Sequence, residues 1–178
     1  MLLERLQIPF QVEAPDVDET PLPGEAAPDT ATRLARLKAE AVAPRHPGAL
    51  IIGSDQVAEL DKVHLGKPGN REGARRQLRF MRGRTVVFHT AVALLNSASG
   101  RCARALVPTT VTFRNLSDDA IERYLDREQP YHCAGSARCE GLGIALVTRL
   151  ESGDPSALIG LPLITMVDLL GAEGVPVV

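Results

Sequence analysis

Two long β-type runs, Thr85 to Leu95 and Ala103 to Arg114, constrain this chain more than any other feature. The segment between them, Asn96-Ser97-Ala98-Ser99-Gly100, is built of turn formers, so the runs read as neighbouring strands of one hairpin. Thr109-Thr110-Val111-Thr112-Phe113 is strongly β in type. A sheet built on such a hairpin needs helices to cover it, and the flanking sequence supplies them. Leu34, Leu37 and Ala41 share one side of a helix that runs to about Ala43, opened by Pro28-Asp29-Thr30. Asn70 caps a helix over 71–81 whose inner side carries Ala74, Gln77, Leu78 and Met81. Ser117 caps another over 120–125, and Gly160-Leu161-Pro162-Leu163 opens a last one through Leu170. Met1 to Leu6 reads as the last turns of an amphipathic helix. Further strands are predicted over 8–12, over Ala49-Leu50-Ile51-Ile52, and over 144–147 ahead of a turn at 151–155. A hairpin is predicted over 57–65 around Asp61-Lys62. Strands and helices alternate, which predicts an α/β class with a mixed sheet.

Composition narrows the function classes. At 178 residues the chain is long enough for one domain, or one with two lobes. A net charge of −2 argues against a protein that coats nucleic acid, because that binding needs a basic face. Aromatic residues make up 3% and Trp is absent, which leaves little for stacking single-stranded bases. No apolar run approaches the roughly 18 to 20 residues of a membrane span. The N-terminus lacks the basic region and apolar core of a signal peptide, so a cytoplasmic location is expected. Cys102, Cys133 and Cys139 contain no C-x-x-C pair and read as reduced thiols; a zinc site from His132, Cys133 and Cys139 would have no standard spacing.

Three places carry chemistry. The first is Gly53-Ser54-Asp55-Gln56-Val57, where Asp55 follows an apolar strand. Ligands gather at the carboxyl ends of strands in open α/β sheets, so a carboxylate there has a functional reading beside that of a turn or capping Asp. The second is Leu65-Gly66-Lys67-Pro68, a cation on a tight turn. The third is the glycine-rich stretch 134–143, with Glu140 inside it. Two further candidates lie upstream. Asp16-Val17-Asp18-Glu19 sits in a long Pro-rich loop over 14–28 and reads as a solvated acidic loop or as ligands for a divalent cation. Lys38 flanks the apolar stripe of its helix and by itself reads as a snorkelling surface lysine.

In order and spacing these stretches resemble the Maf family of nucleoside triphosphate pyrophosphatases. The resemblance covers nearly the whole of 1–178, taken as a single Maf-like domain. It is carried by Asp18-Glu19, Lys38-Ala39, Gly53-Ser54-Asp55-Gln56-Val57, Gly66-Lys67-Pro68, Gln77-Leu78 and Thr90-Ala91-Val92. Downstream it continues through 110–114, Ala134-Gly135, Cys139-Glu140-Gly141, Gly153-Asp154-Pro155 and Gly160-Leu161-Pro162-Leu163. Gly-Ser-Asp-Gln and Cys-Glu-Gly-Leu-Gly look like the branch acting on 7-methyl-GTP; the branch acting on dTTP and UTP usually shows Asp-Thr and a Gln at those two places.

The resemblance implies an elongated α/β fold with two lobes around a cleft, related to inosine triphosphate pyrophosphatases. It implies hydrolysis of a nucleoside triphosphate to monophosphate and diphosphate, clearing modified nucleotides, with Mg²⁺ or Mn²⁺ as cofactor and a homodimer as the assembly. Residue by residue, it implies Asp55 as proton acceptor and metal ligand, Glu19 as second metal ligand, and Lys38 and Lys67 on the phosphates. Gln56 and Glu140 would set base specificity. A carboxylate at 140 can accept from guanine N1–H and the 2-amino group and favours a cationic ring. An aromatic sandwich is not expected: Phe88 and Phe113 read as core, and Phe80 lies beside core Met81. The competing reading pairs Glu140 with Arg138 or Arg114. Family members open with a Ser-x-Ser-x-x-Arg-Arg type loop ahead of a helix with a Leu-Leu pair, and this sequence starts at Leu2-Leu3. Weak turnover, or nucleotide binding without catalysis in a cell-division-control role, is the expectation if that loop is lacking. Action on dTTP, UTP or another modified nucleotide is the other alternative.

Overall fold

The computed structural model describes all 178 residues. Five strands form one sheet: β1 (Leu50–Leu60), β2 (Val63–Leu65), β3 (Thr85–Asn96), β4 (Cys102–Phe113) and β5 (Val147–Ser152), in the order β2-β1-β3-β4-β5. Four helices cover it: α1 (Ala27–Val42), α2 (Arg71–Met81), α3 (Asp118–Glu128) and α4 (Leu163–Ala172). The α/β class is as expected. The sheet is not mixed, however, because every neighbouring pair is antiparallel. The helix α2 does connect two strands that run the same way, β2 and β3, but β1 lies between them. Alternation along the chain therefore produced no parallel neighbours. No helix is long and apolar enough to cross a membrane.

The two long runs form β3 and β4, paired from Thr85↔Thr112 to Leu95↔Cys102. Phe88 and Phe113 are buried in the largest apolar cluster, with Leu78, Met81, Ile121 and Leu125 from α2 and α3. Asn70 caps α2 by accepting from Gly73 N at 2.8 Å, and Ser117 caps α3 by accepting from Ala120 N at 3.2 Å. The β1–β2 hairpin turns on Asp61 and Lys62, both at positive φ, which suits the twist of a two-residue turn.

Three local expectations are corrected. Residues 8–12 form no strand, because no neighbouring strand offers them a ladder. The residues 142–146 form a 3₁₀ turn, and β5 begins at Val147. Gly143 presses against the Arg138 backbone, where an added Cβ would lie 2.5 Å from Arg138 O, and this coils the segment before it can extend. Helix α1 starts at Ala27 with Ala26 as an N-cap that has no side-chain bond. Thr30 instead donates back to Ala26 O and to Glu25. Helix α4 opens as expected at Pro162, its N-cap, where buried Asp154 accepts from Ile164 N at 2.7 Å and supplies the missing partner.

The most consequential correction concerns β1. The strand does not end at Gly53 but continues through Asp55 to Leu60, paired with β3 from Leu50 to Glu59. Gly53 makes no turn. Its role is close approach, since an added Cβ would lie 2.1 Å from Ala35 O and 2.8 Å from Ala39 N of α1. Ala31, Ala35 and Ala39 of α1 pack with Ile51, Ala91 and Ala93 in an apolar cluster made almost wholly of small side chains. This lets helix and sheet nearly touch and brings Lys38 over Asp55. On the opposite face Val92 and Leu94 pack on Met166 and Leu170 of α4. Gly53→Ala would overpack this seam, which typically costs about 1 to 3 kcal/mol. Urea unfolding should show the loss as a lower midpoint with unchanged slope.

Candidate active site

Strand β2 pairs only with Ala58–Leu60, so the edge of β1 from Ser54 to Val57 has no strand beside it. A cleft of about 250 Å³ opens there. Alternation along β1 sends Asp55 toward α1 and Ser54 and Gln56 to the other face. The cleft wraps the open edge and meets both sets.

On the α1 side four charges form a chain. Lys38 Nζ lies 2.6 Å from Asp55 and 2.7 Å from Glu19, and Lys67 Nζ lies 2.8 Å from Glu19. Lys38 and Asp55 keep only 16% and 11% of their side-chain surface exposed, whereas Lys67 keeps 59%. Burial pushes the Asp55 carboxyl above its ordinary value, and the Lys38 ammonium only partly offsets this. Burial pulls the Lys38 ammonium down, but its hydrogen bonds to Asp55 and Glu19 outweigh that and hold it above the usual lysine value. Hydrogen bonds from Lys38 and then Lys67 lower Glu19 to about 2. Of the acidic cluster, Glu19 alone reaches the cleft charges. Asp18 turns back to accept from Thr20 N at 2.9 Å, and Arg33 fixes the loop by donating to Thr20 O.

On the other face Ser54 Oγ lies 2.7 Å from Gly160 O. Gln56 Nε2 donates to Thr90 Oγ1, Ala157 O and Leu158 O at 2.9 to 3.1 Å. The two carbonyls can only accept, so the amide nitrogen is fixed inward and only Oε1 is left for a ligand. Gln56 thus holds the 157–160 turn as a wall of the cleft, with Leu158 and Ile159 lining it.

Glu140 lines the cleft from the glycine-rich stretch and pairs with Arg138 at 3.2 Å. Arg114 is not its partner, since that side chain donates to Ala145 O. The stretch is anchored from two helices. Tyr124 of α3 donates to Ser136 O and accepts from Arg138 N, and Gln77 of α2 accepts from Ser136 Oγ while donating to Gly66 O. Gln77 therefore ties the Lys67 turn to the glycine-rich stretch. A polar residue in line with Ala74, Leu78 and Met81 was its signal in the sequence.

Of the six expected residues, Lys38, Asp55, Gln56, Lys67 and Glu140 line the main cleft, and Glu19 lines the adjoining hollow, joined to the cleft by its bonds to Lys38 and Lys67. Sequence reasoning missed the walls contributed by Ala137, Leu158 and Ile159, which bear no chemical label. No aromatic ring of Phe, Tyr or Trp lines the main cleft. No group of three or more His, Cys, Asp or Glu is placed to hold a metal ion, so His132, Cys133 and Cys139 make no zinc site. Burial pushes the Cys139 thiol up to about 11.

A cleft that lines up two lysines and two carboxylates at one end and an acid among small apolar side chains at the other is suited to a polyanion with a polar ring. The family model described as Maf-like protein matches residues 1–173, and the chain belongs to this family. A 7-methyl-GTP pyrophosphatase of Nitrosospira multiformis is 59% identical over 177 residues, spanning 99% of this chain and 89% of that protein. The proteins of the same name from Aromatoleum aromaticum and Methylobacillus flagellatus are 59% and 55% identical, over 98% and 99% of this chain and 90% and 92% of theirs.

The lowered Glu19 carboxyl fixes a sign for pH dependence. A carboxyl depressed on folding contributes stability above its unfolded value, 4.5, and loses it as pH falls toward 2. Glu19 is 41% exposed, so solvent screens much of this contribution. The thermal stability advantage of the native chain over Glu19→Gln should be largest near neutral pH, shrink below 4.5 and vanish near 2. An advantage that grew on acidification would contradict the ion-pair assignment.

Proposed function

We propose that this chain hydrolyses 7-methyl-GTP to 7-methyl-GMP and diphosphate. The observation that carries the reading is the charge chain Asp55–Lys38–Glu19–Lys67 on the open edge of β1, facing Glu140 across an apolar wall. The names of the relatives support the same substrate.

The residues divide the work by charge. The two ammonium groups answer the triphosphate oxygens, Lys67 at the exposed end and Lys38 at the buried one. As Lys38 turns to phosphate it releases Asp55, whose burial-raised basicity suits it to take a proton from water. The water oxygen then bonds to phosphorus, the P–O bond between the α- and β-phosphates breaks, and diphosphate leaves. Glu19 and Asp55 converge on one ammonium, an arrangement that also fits a hard cation between two carboxylates. Two protein carboxylates, completed by water and phosphate oxygens, form the donor set Mg²⁺ commonly takes. Bound there, Mg²⁺ or Mn²⁺ would neutralise charge on the phosphates. At the other end Glu140 supplies a negative charge, and N7-methylation makes guanine a cation. With no aromatic sandwich in the cleft, cation–π attraction gives way to this electrostatic one. Reduced thiols and a free nucleotide substrate suit a cytoplasmic setting.

Two variants test the reading. Asp55→Asn keeps the shape and removes the base, so turnover should fall about 10²- to 10⁴-fold with the fold retained. A variant keeping more than half the native kcat would refute the assignment. Glu140→Gln should lower kcat/KM more for 7-methyl-GTP than for GTP at fixed Mg²⁺. An unchanged ratio would remove Glu140 as the discriminating charge.

A further inference from the structure

Glu140 is not alone with its charge. Arg138 reaches it through Nε at 3.2 Å and reaches Glu128 of α3 through Nη1 at 3.1 Å. Both distances lie at the long end for a charge-assisted bond, which usually closes to about 2.7 to 2.9 Å. The guanidinium is thus shared, and one cation faces two carboxylates. Its side chain is half exposed, while Glu128 keeps only 11% of its side-chain surface.

Glu128 is built into the loop that carries Glu140. Its Oε2 accepts from Leu142 N at 2.8 Å. Its carboxylate lies against Gly141, where an added Cβ would meet Oε1 and Oε2 at 2.8 and 2.9 Å. The glycine after Glu140 is therefore the gap through which Glu128 reaches the loop. A half-buried carboxylate held by a backbone N–H and packed on glycine cannot turn away from Arg138 without breaking the loop.

From this arrangement we infer that Glu128 and Arg138 are positioning residues that set the preference for a cationic base. The inference rests on the proposed recognition of the methylated base by Glu140. By drawing on the guanidinium, Glu128 keeps Arg138 from neutralising Glu140, and the trio retains one negative charge beside the base end of the cleft. A methylated, cationic guanine fills that deficit, whereas a neutral guanine leaves it open. The two neighbouring thiols do not alter this balance. Burial raises both Cys133 and Cys139, so they stay uncharged near neutral pH.

Opposite substitutions must then act in opposite directions. Glu128→Gln keeps the volume and an acceptor for Leu142 N but leaves Arg138 to Glu140, so the ratio of kcat/KM for 7-methyl-GTP over GTP should narrow. Arg138→Gln removes the shared cation and should widen it. Each change should be about two- to fivefold, the range that a partly exposed charge pair is worth. Both ratios are measured at fixed Mg²⁺ with melting temperatures alongside, and Glu140→Gln serves as reference. If Glu128 only supports the loop, Glu128→Gln lowers both substrates equally and the inference falls, even though Glu140→Gln still narrows the ratio. A narrowing in Arg138→Gln overturns it as well. Should Glu128→Gln fail to fold, the half-exposed Arg138→Gln decides alone by the sign of its change. A native chain with no preference for 7-methyl-GTP would bring down the proposed substrate and this inference together.

Discussion

The contact between α1 and β1 sets the charged end of the cleft. A lysine four methylenes long can place its ammonium on a mid-strand carboxylate only if helix and sheet approach unusually closely. Gly53 makes that possible by having no Cβ where Ala35 O and Ala39 N come down, and the alanines of α1 continue the seam. Small side chains bury little area each, so this interface is weak in hydrophobic terms. What it provides is distance. The larger aromatic and aliphatic cluster with α2 and α3 carries the burial, leaving the α1 seam free to be shaped by chemistry.

The buried pair Lys38–Asp55 costs desolvation on both sides, and an ion pair in such a place is weak evidence for stability. Its geometry makes more sense as a ligand site with a resident counter-ion. Under the proposed function, Glu19 and Asp55 occupy the two lysines that a triphosphate would claim, and the lysines occupy the two carboxylates that a divalent cation would claim. Each of these four charges has an internal partner, so the cleft holds none of them unpaired. Exchange of such a partner for a ligand then costs much less than stripping water from bare ions would.

How much of this was legible in the sequence depends on what the residue does. Apolar periodicity and caps located α2, α3 and the β3–β4 hairpin closely, because amphipathic faces and Asn or Ser caps are local signals. Asp55, Gln56, Lys67 and Glu140 stood out as charged or amide side chains in glycine-rich settings, whereas Glu19 in its Pro-rich loop and Lys38 on its helix were singled out by the family resemblance. Asp55 was misplaced at a strand end because glycine has two uses, turning and close approach, and only the helix lying over Gly53 tells them apart. The strand at 144–147 failed for a related reason: its apolar letters were right for β, but Gly143 ties the segment to Arg138. Glu128 gave no signal at all. It reads as the last solvated acid of an amphipathic helix, and only the fold brings it against Gly141.

Gln56 and Glu140, the two residues proposed to set specificity, are held in different ways. Gln56 spends its nitrogen on the framework, bonding two backbone carbonyls and Thr90, and through them it holds Leu158 and Ile159 in the cleft wall. An exchange there would move a wall before it altered a contact with the base. Glu140 is 36% exposed on its side chain and bonded to one shared guanidinium, so it can answer a ligand directly. Shape from one side and charge from the other are largely independent, because they are anchored to different elements: β1 and β3 for the wall, α3 for the acid. Under the proposed function, selection by ring size and selection by ring charge would vary separately on the same scaffold, while the lysine end, fixed by the α1 seam, stays as it is.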